Sequence, residues 1–287
     1  MRPEGCLRVF DCHVHVPPWE QMKPAVRETF SRHWRESERL TRAMRDPEEF
    51  LRLMDEEGVE RAALINYPAP DVMGFTHAVN EWSSRFASAH PDRLVAVGSV
   101  HPRWEGDAGA ETARLFEELG IRMLKIHPPH QLFAANAYRD GDDALGKIYA
   151  AAERFGRPVM IHTGTSVFPG ARNIYADPMP ADDVAVDFPK LPLILAHAGR
   201  PLYMETAVFL ARRHPNVHLD LSGIPPKRLL EYLPRLEELS EKCLWGTDFP
   251  SPGVHSLRKN VEEFLALPLS EAAKRRILFD NAAALIP

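Results

Sequence analysis

The chain has 287 residues, 45% of them hydrophobic and 26% charged, with a formal net charge of −5. This is the balance of a globular protein with room for one large α/β domain; no basic tract points to nucleic acid, and no apolar run has bilayer-spanning length. Three cysteines (Cys6, Cys12 and Cys243) are too few and too odd for a disulfide framework, and with no apolar leader at the N-terminus a cytoplasmic protein is expected.

Eight short apolar runs recur along the chain. They are CLRVFDCHVH (6–15), RAALINY (61–67), RLVAVGSV (93–100), IRMLKIH (121–127), RPVMIHTG (157–164), LPLILAHAG (191–199), NVHLDLSG (216–223) and KCLWGTDFP (242–250). Continuous apolar runs of this length read as strands buried on both faces. Between them lie helical patterns. DPEEFLRLMDEEGV starts with Asp46 as N-cap, Pro47 at N1 and Glu49 at N3, and stops at Gly58. DDALGKIYAAAERFG ends at Gly156 in the same way, and ADDVAVDFP is a shorter helix after the fifth strand. PLYMETAVFLARRHP, KRLLEYLPRLEELSE and HSLRKNVEEFLAL follow the sixth, seventh and eighth strands, and a last helix over 270–286 is capped by Ser270.

Eight strands alternating with helices imply a parallel sheet, and the count implies one TIM-like (β/α)8 barrel domain over 1–287. A doubly wound open sheet is the alternative, but no G-x-G-x-x-G follows the first strand. The 26 prolines punctuate element ends rather than form a linker. Residues 17–45 are long for a barrel loop and form a candidate lid or insert; Trp19, Trp34, Arg27, Arg32 and Arg35 would let it hold a planar, carboxylated substrate, and a solvated amphipathic helix with no part in binding is the equal alternative.

In such a barrel the chemistry gathers at the C-terminal ends of the strands. There the sequence sets Asp11, His13 and His15 on strand one, Lys125 and His127 on strand four, His162 on strand five, His197 on strand six and Asp248 on strand eight. Buried polar groups need partners, and one bound cation would satisfy most of these at once. Three histidines and a carboxylate suit zinc, with manganese, iron or cobalt as alternatives. Asp11, a layer deeper, is expected to orient a ligand. Cys12 should point away from the two histidines into packing. His33, His77, His90, His101, His214 and His255 have no partner pattern and are expected at the solvated surface, and Trp245 in the core. The segments 126–133 and 164–178 should line the mouth of the site.

Taken in order, DCHVH, LKIHPP, IHTG, LAHAGR, GTDFP and the closing NAAALI resemble the amidohydrolase-related proteins, the branch that includes aminocarboxymuconate-semialdehyde decarboxylase. The resemblance runs from residue 8 to the end. It implies a distorted (β/α)8 barrel holding one divalent ion, zinc or else manganese, on His13, His15, His162 and Asp248. Asp248 would also handle a proton, and His197 would act on substrate or water. Relatives that decarboxylate resorcylate-type acids carry Glu where this chain has His13, a departure that the muconate-semialdehyde type does not share. Lys125 stands where binuclear relatives carry a carboxylated bridge; here it is expected, with His127 and Arg200, to bind the substrate.

Three functions fit: a metal-dependent hydrolase of a C–O or C–N bond in a small carboxylated substrate, a non-oxidative decarboxylase using the same cage, and a catalytically silent barrel. The hydrolase is the leading expectation. No nucleic-acid or membrane partner is expected, and a homodimer is allowed.

Overall fold

The computed structural model describes residues 7–32, 34, 36–103, 106–141 and 143–287; Cys6, His33 and Arg35 lie outside the described residues. Each apolar run contains a strand. These are β1 (Phe10–Val14), β2 (Arg61–Leu64), β3 (Leu94–Gly98), β4 (Met123–Ile126), β5 (Val159–His162), β6 (Leu193–Ala196), β7 (Val217–Asp220) and β8 (Cys243–Leu244). All are parallel and pair in sequence order. The Cys12 N–H donates to the Trp245 carbonyl (2.9 Å) and the His15 N–H to the Phe249 carbonyl (2.8 Å), bringing β1 beside the segment after β8 in a nearly closed barrel.

Three helices, α1 (Pro24–Ser31), α2 (Ser37–Ala43) and α3 (Pro47–Glu57), fill the long connection from β1 to β2. The outer layer continues with α4 (Val79–Ser88), α5 (Ala108–Glu117), the single turn α6 (Pro128–Gln131), α7 (Asp143–Arg154), α8 (Ala181–Asp187) and α9 (Met204–Arg213). It ends with α10 (Leu229–Tyr232), α11 (Leu257–Leu265), α12 (Glu271–Arg275) and α13 (Asn281–Leu285). Capping follows the side chains. Asp46 accepts the Glu48 N–H at 2.9 Å, Gly58 closes α3 at φ 80°, and Ser270 accepts the Ala273 N–H at 3.2 Å. A π-helical turn, Arg276–Asp280, joins α12 to α13.

Several expectations fail for identifiable reasons. The run 227–241 is not one helix: after α10 it breaks into turns, because Pro234 has no N–H to give and its ring clashes with the preceding turn. His101 and His214 are buried, not solvated. The His101 N–H donates to His77 Nε2 at 3.0 Å, and His214 Nε2 lies 2.7 Å from Asp182, tying the end of α9 to α8. His90 is half-buried against Glu48 at 2.7 Å, while His255 is exposed as expected. Trp245 is core, packed on Phe264.

The 17–45 segment covers the C-terminal end of the barrel. Its anchor is aromatic: Trp19, Phe30 and Trp34 cluster with centroids 5.0–6.3 Å apart, and Trp34 Nε1 donates to the Pro250 carbonyl at 3.0 Å. Among the described residues, Arg27 and Arg32 form no substrate-facing pair. Arg32 is exposed and pairs with Glu28 at 3.6 Å, and neither it nor Arg27 lines the cavity below; Phe30, Met22 and Pro17 do.

Candidate active site

The site begins with an irregularity in β1. Asp11 pairs with Ala62, yet Val14 pairs with Leu64, so one extra residue is accommodated between them. The strict alternation of side chains is lost there. His13 Nδ1 lies 2.5 Å from Asp220 on β7, and the Cys12 thiol also bonds to Asp220, so these neighbours do not point opposite ways. Cys12 is buried and free, in keeping with a packing residue. Asp11 serves the backbone instead of an imidazole. It accepts the N–H of His13 (3.1 Å), the N–H of Thr247 (3.0 Å) and the hydroxyl of Thr247 (2.6 Å), locking β1 to the segment after β8. Burial raises its pKa to about 7 against those hydrogen bonds.

The carboxylate that orients His13 is Asp220, which was not among the expected site residues. It also accepts the backbone N–H and the hydroxyl of Ser222 at 2.8 and 2.7 Å. Ser222 Oγ lies 2.6 Å from His197 Nδ1 and 3.1 Å from His13 Nδ1, so one hydroxyl links both rings. Gly246 makes this approach feasible. A Cβ there would lie 2.4 Å from Asp220 Oδ1 and 2.9 Å from the His13 Cβ.

His13, His15 and Asp248 come together: one ligand atom from each lies within 4.8 Å of the others. Asp248 stands at φ 67°, held there by its N–H on the His13 carbonyl at 2.8 Å. His15 Nε2 is 3.0 Å and His13 Nε2 3.6 Å from Asp248 Oδ1. His15 Nδ1 faces the carbonyl of Ile65 at 3.2 Å, which can only accept, so its hydrogen belongs on Nδ1. In that tautomer Nε2 turns its lone pair toward Asp248 Oδ1. Burial pushes the Asp248 pKa up, but the contacts with His15 and His13 and the Arg200 guanidinium hold it below the usual carboxylate value. The His13 hydrogen likewise belongs on Nδ1, facing Asp220, and its buried Nε2 has no hydrogen-bond partner. Two imidazole lone pairs and an ionised oxygen converge there, a donor set that could hold a cation. Burial also holds the His13, His162 and His197 pKa values well below the usual imidazole range, leaving neutral rings. The donor set thus fits a divalent ion.

The other candidates line the same cavity, of about 160 Å³. His197 stacks on His13 with centroids 4.7 Å apart. His162 does not join the three-residue group: its Nε2 faces the Gly164 carbonyl at 3.0 Å, which leaves Nδ1 with the lone pair. His127 is sandwiched between His130 and His162 at centroid distances of 3.6 and 3.8 Å. Lys125 is fully buried, its Nζ has no hydrogen-bond partner, and burial lowers its pKa to about 8. Arg200 reaches Asp248 Oδ2 at 3.4 Å. Its guanidinium passes over Gly223, where a Cβ would meet Arg200 Nε at 2.3 Å.

A family model described as amidohydrolase matches residues 10–287. The chain belongs to the amidohydrolase family. No curated protein sequence matches it. Among solved structures, this amidohydrolase resembles an uncharacterised TIM-barrel protein of Bordetella bronchiseptica at 23% identity and a TM-score of 0.72, over 97% of this chain and 98% of that one. It also resembles the 5-carboxyvanillate decarboxylase of Novosphingobium aromaticivorans, solved with manganese and 3-methoxy-4-hydroxy-5-nitrobenzoic acid. There the identity is 16% and the TM-score 0.68, over 99% and 98% of the two chains. A third is the 4-oxalomesaconate hydratase of Rhodopseudomonas palustris, at 18% identity and a TM-score of 0.63 over 97% and 95%. At these identities the likeness carries the fold. No helix among the described residues is long and apolar enough to cross a membrane.

Besides Asp220 and Ser222, Tyr67 lines the cavity without having been expected there, and His130 and Ser166 lie in the segments expected at its mouth. Asp220 had a usable signal, a carboxylate ending an apolar strand. Tyr67 and Ser166 are hydroxyl residues in loops and carry none.

Proposed function

We propose that this amidohydrolase is a metal-dependent carboxy-lyase acting on a small, single-ring carboxylate. Cavity size carries the reading. A volume of about 160 Å³ is close to the roughly 150 Å³ that holds one benzene ring. One ring with its carboxylate fits that volume. The walls suit such a ring, with Phe30, Phe168, Met22 and Ile65 apolar and Lys125 and Arg200 cationic. Lys125 Nζ, buried and unpartnered, gains its counter-charge from the substrate carboxylate. The decarboxylase relative holding a substituted benzoic acid supports the same class.

His13, His15 and Asp248 would hold the divalent ion, with His162 offering Nδ1. Zinc and manganese both accept this set, and the decarboxylase relative was solved with manganese. When bound, the ion supplies a Lewis acid that draws electron density from substrate oxygens. Lys125 and Arg200 orient the carboxylate. His197 directs Nδ1 to the Ser222 carbonyl at 3.1 Å, so the hydrogen belongs there and Nε2 accepts a proton from the substrate. Asp248, steadied by the Ser251 hydroxyl at 3.1 Å and ionised at rest, first takes a proton from water and then delivers it to the ring carbon as carbon dioxide leaves. Lys125 acts uncarboxylated in this scheme.

A second reading, hydrolysis of a compact lactone or amide, is favoured by one observation. The ionised Asp248 beside His13 Nε2 is equally suited to taking a proton from water. The test is to incubate metal-loaded protein with carboxyl-labelled hydroxybenzoates and with monocyclic lactones. Labelled carbon dioxide from the acids supports the carboxy-lyase; ring opening of lactones without carbon dioxide release overturns it in favour of the hydrolase.

A further inference from the structure

Lining the same cavity is a chain of hydrogen bonds that the proposed chemistry leaves unused. Tyr67, at the end of the run containing β2, places its hydroxyl 2.9 Å from His130 Nδ1. His130, on α6 after β4, places Nε2 2.6 Å from the hydroxyl of Ser166, in the loop after β5. All three residues line the cavity. Tyr67 and His130 are buried, whereas Ser166 is partly open to solvent.

The bonds around this chain give it a direction. Ser166 Oγ accepts the Phe168 N–H at 3.3 Å, which favours its own hydrogen pointing to His130 Nε2. A neutral imidazole that accepts at Nε2 must donate from Nδ1, so His130 gives its hydrogen to the Tyr67 oxygen. The Tyr67 hydrogen is then uncommitted and free for whatever occupies the cavity. Burial keeps both groups neutral, lowering the His130 pKa to about 3 and raising that of Tyr67 well above the usual phenol value. Donors aligned head to tail polarise one another. The frame is also fixed. Gln131 donates to the Pro68 carbonyl at 3.0 Å and accepts the His127 N–H at 2.7 Å, holding the loop after β2 against α6.

The geometry points to a proton path, Ser166 to His130 to Tyr67, that connects solvent at the mouth with a substrate-facing hydroxyl in the wall of the cavity. When Tyr67 gives its proton to the bound molecule, its oxygen takes the Nδ1 hydrogen, His130 Nε2 takes the Ser166 hydrogen, and water refills Ser166. Each member forms one O–H or N–H bond as it loses another, and the path starts and ends neutral. Tyr67 is the catalytic residue of the path; His130 and Ser166 act through it. The substrate-facing role rests on the assignment of this cavity as the substrate site.

The test uses the whole, zinc-loaded protein with 13C at the tyrosine Cζ, where hydroxyl exchange with deuterium is read by NMR without any substrate. Ser166→Ala and His130→Gln should each slow exchange at Tyr67 at least tenfold, and Ser166→Thr, which keeps the hydroxyl, should restore it. The other tyrosines serve as the internal standard for folding. Unchanged exchange at Tyr67 in both variants overturns the path. Addition of 2-hydroxybenzoate should then shift the Tyr67 signal and slow its exchange. If the acid binds and leaves Tyr67 unaltered, the substrate-facing role is overturned. If it does not bind, the substrate class proposed above fails, while the path itself is still decided by the exchange rates.

Discussion

Replacing Asp220 with asparagine should cost metal affinity without unfolding the barrel. The carboxylate is fully buried and accepts from His13 Nδ1, from the Ser222 backbone and hydroxyl, and from the Cys12 thiol. An amide of the same shape has one oxygen for these donors and turns an NH2 group toward the rest. Either His13 loses its acceptor or the Ser222 N–H meets another donor. Losing the carboxylate behind a ligand imidazole costs about 10- to 100-fold in metal affinity, or roughly 1.4 to 2.8 kcal/mol at about 1.4 kcal/mol per tenfold. Competition with a zinc-chelating dye measures the affinity, and the melting temperature of the metal-free protein reports folding separately. If Asp220→Asn binds zinc within threefold of the wild type, the account of how His13 is oriented is wrong.

Lys125→Met should abolish binding of carboxylated ligands yet stabilise the protein by about 1–3 kcal/mol at neutral pH, because it removes a buried, unpartnered ammonium. Burial lowers the folded lysine pKa to about 8 from its ordinary 10.5. The unfolded chain therefore binds more protons between those values, and wild-type stability rises there. The advantage of Lys125→Met should shrink as the pH climbs from 8 toward 10.5; denaturant melts across that range check this, and a constant advantage would contradict it. Gly223→Ala drives a methyl group into the Arg200 guanidinium, so KM for the acid should rise at least tenfold while zinc content stays unchanged. Phe30→Ala strips a wall of the cavity, and ligand affinity should fall by about 2 kcal/mol, measured by calorimetry, with substrates larger than one ring gaining entry. His218→Gln should flatten the loss of stability on acidification. Burial holds that imidazole near pKa 4 while the unfolded value is 6.5, so the wild type loses stability as the pH falls through that window.

The barrel was legible because its strands are buried on both faces, and a run such as LPLILA has no other economical location. His13, His15, His197 and Asp248 were legible for the converse reason, as polar groups ending apolar runs. What the sequence concealed depends on local geometry. The extra residue in β1 cancels the alternation from which the direction of Cys12 was inferred, and Asp220 takes the orienting role assigned to Asp11. Pro234 breaks a run whose periodicity otherwise favours a helix. Arg27 and Arg32 have the charge for substrate binding, but Arg32 is exposed, Arg27 is half-buried, and neither lines the cavity. Lys125 and Arg200 supply the cations in the cavity instead.

Metal content per chain bears most directly on the central claim. Protein purified without chelators or an affinity metal should contain close to one zinc or manganese by inductively coupled plasma mass spectrometry, and His13→Ala should lose it. A chain that stays folded and takes up no divalent ion even after reconstitution would contradict the account, leaving the barrel without its proposed chemistry.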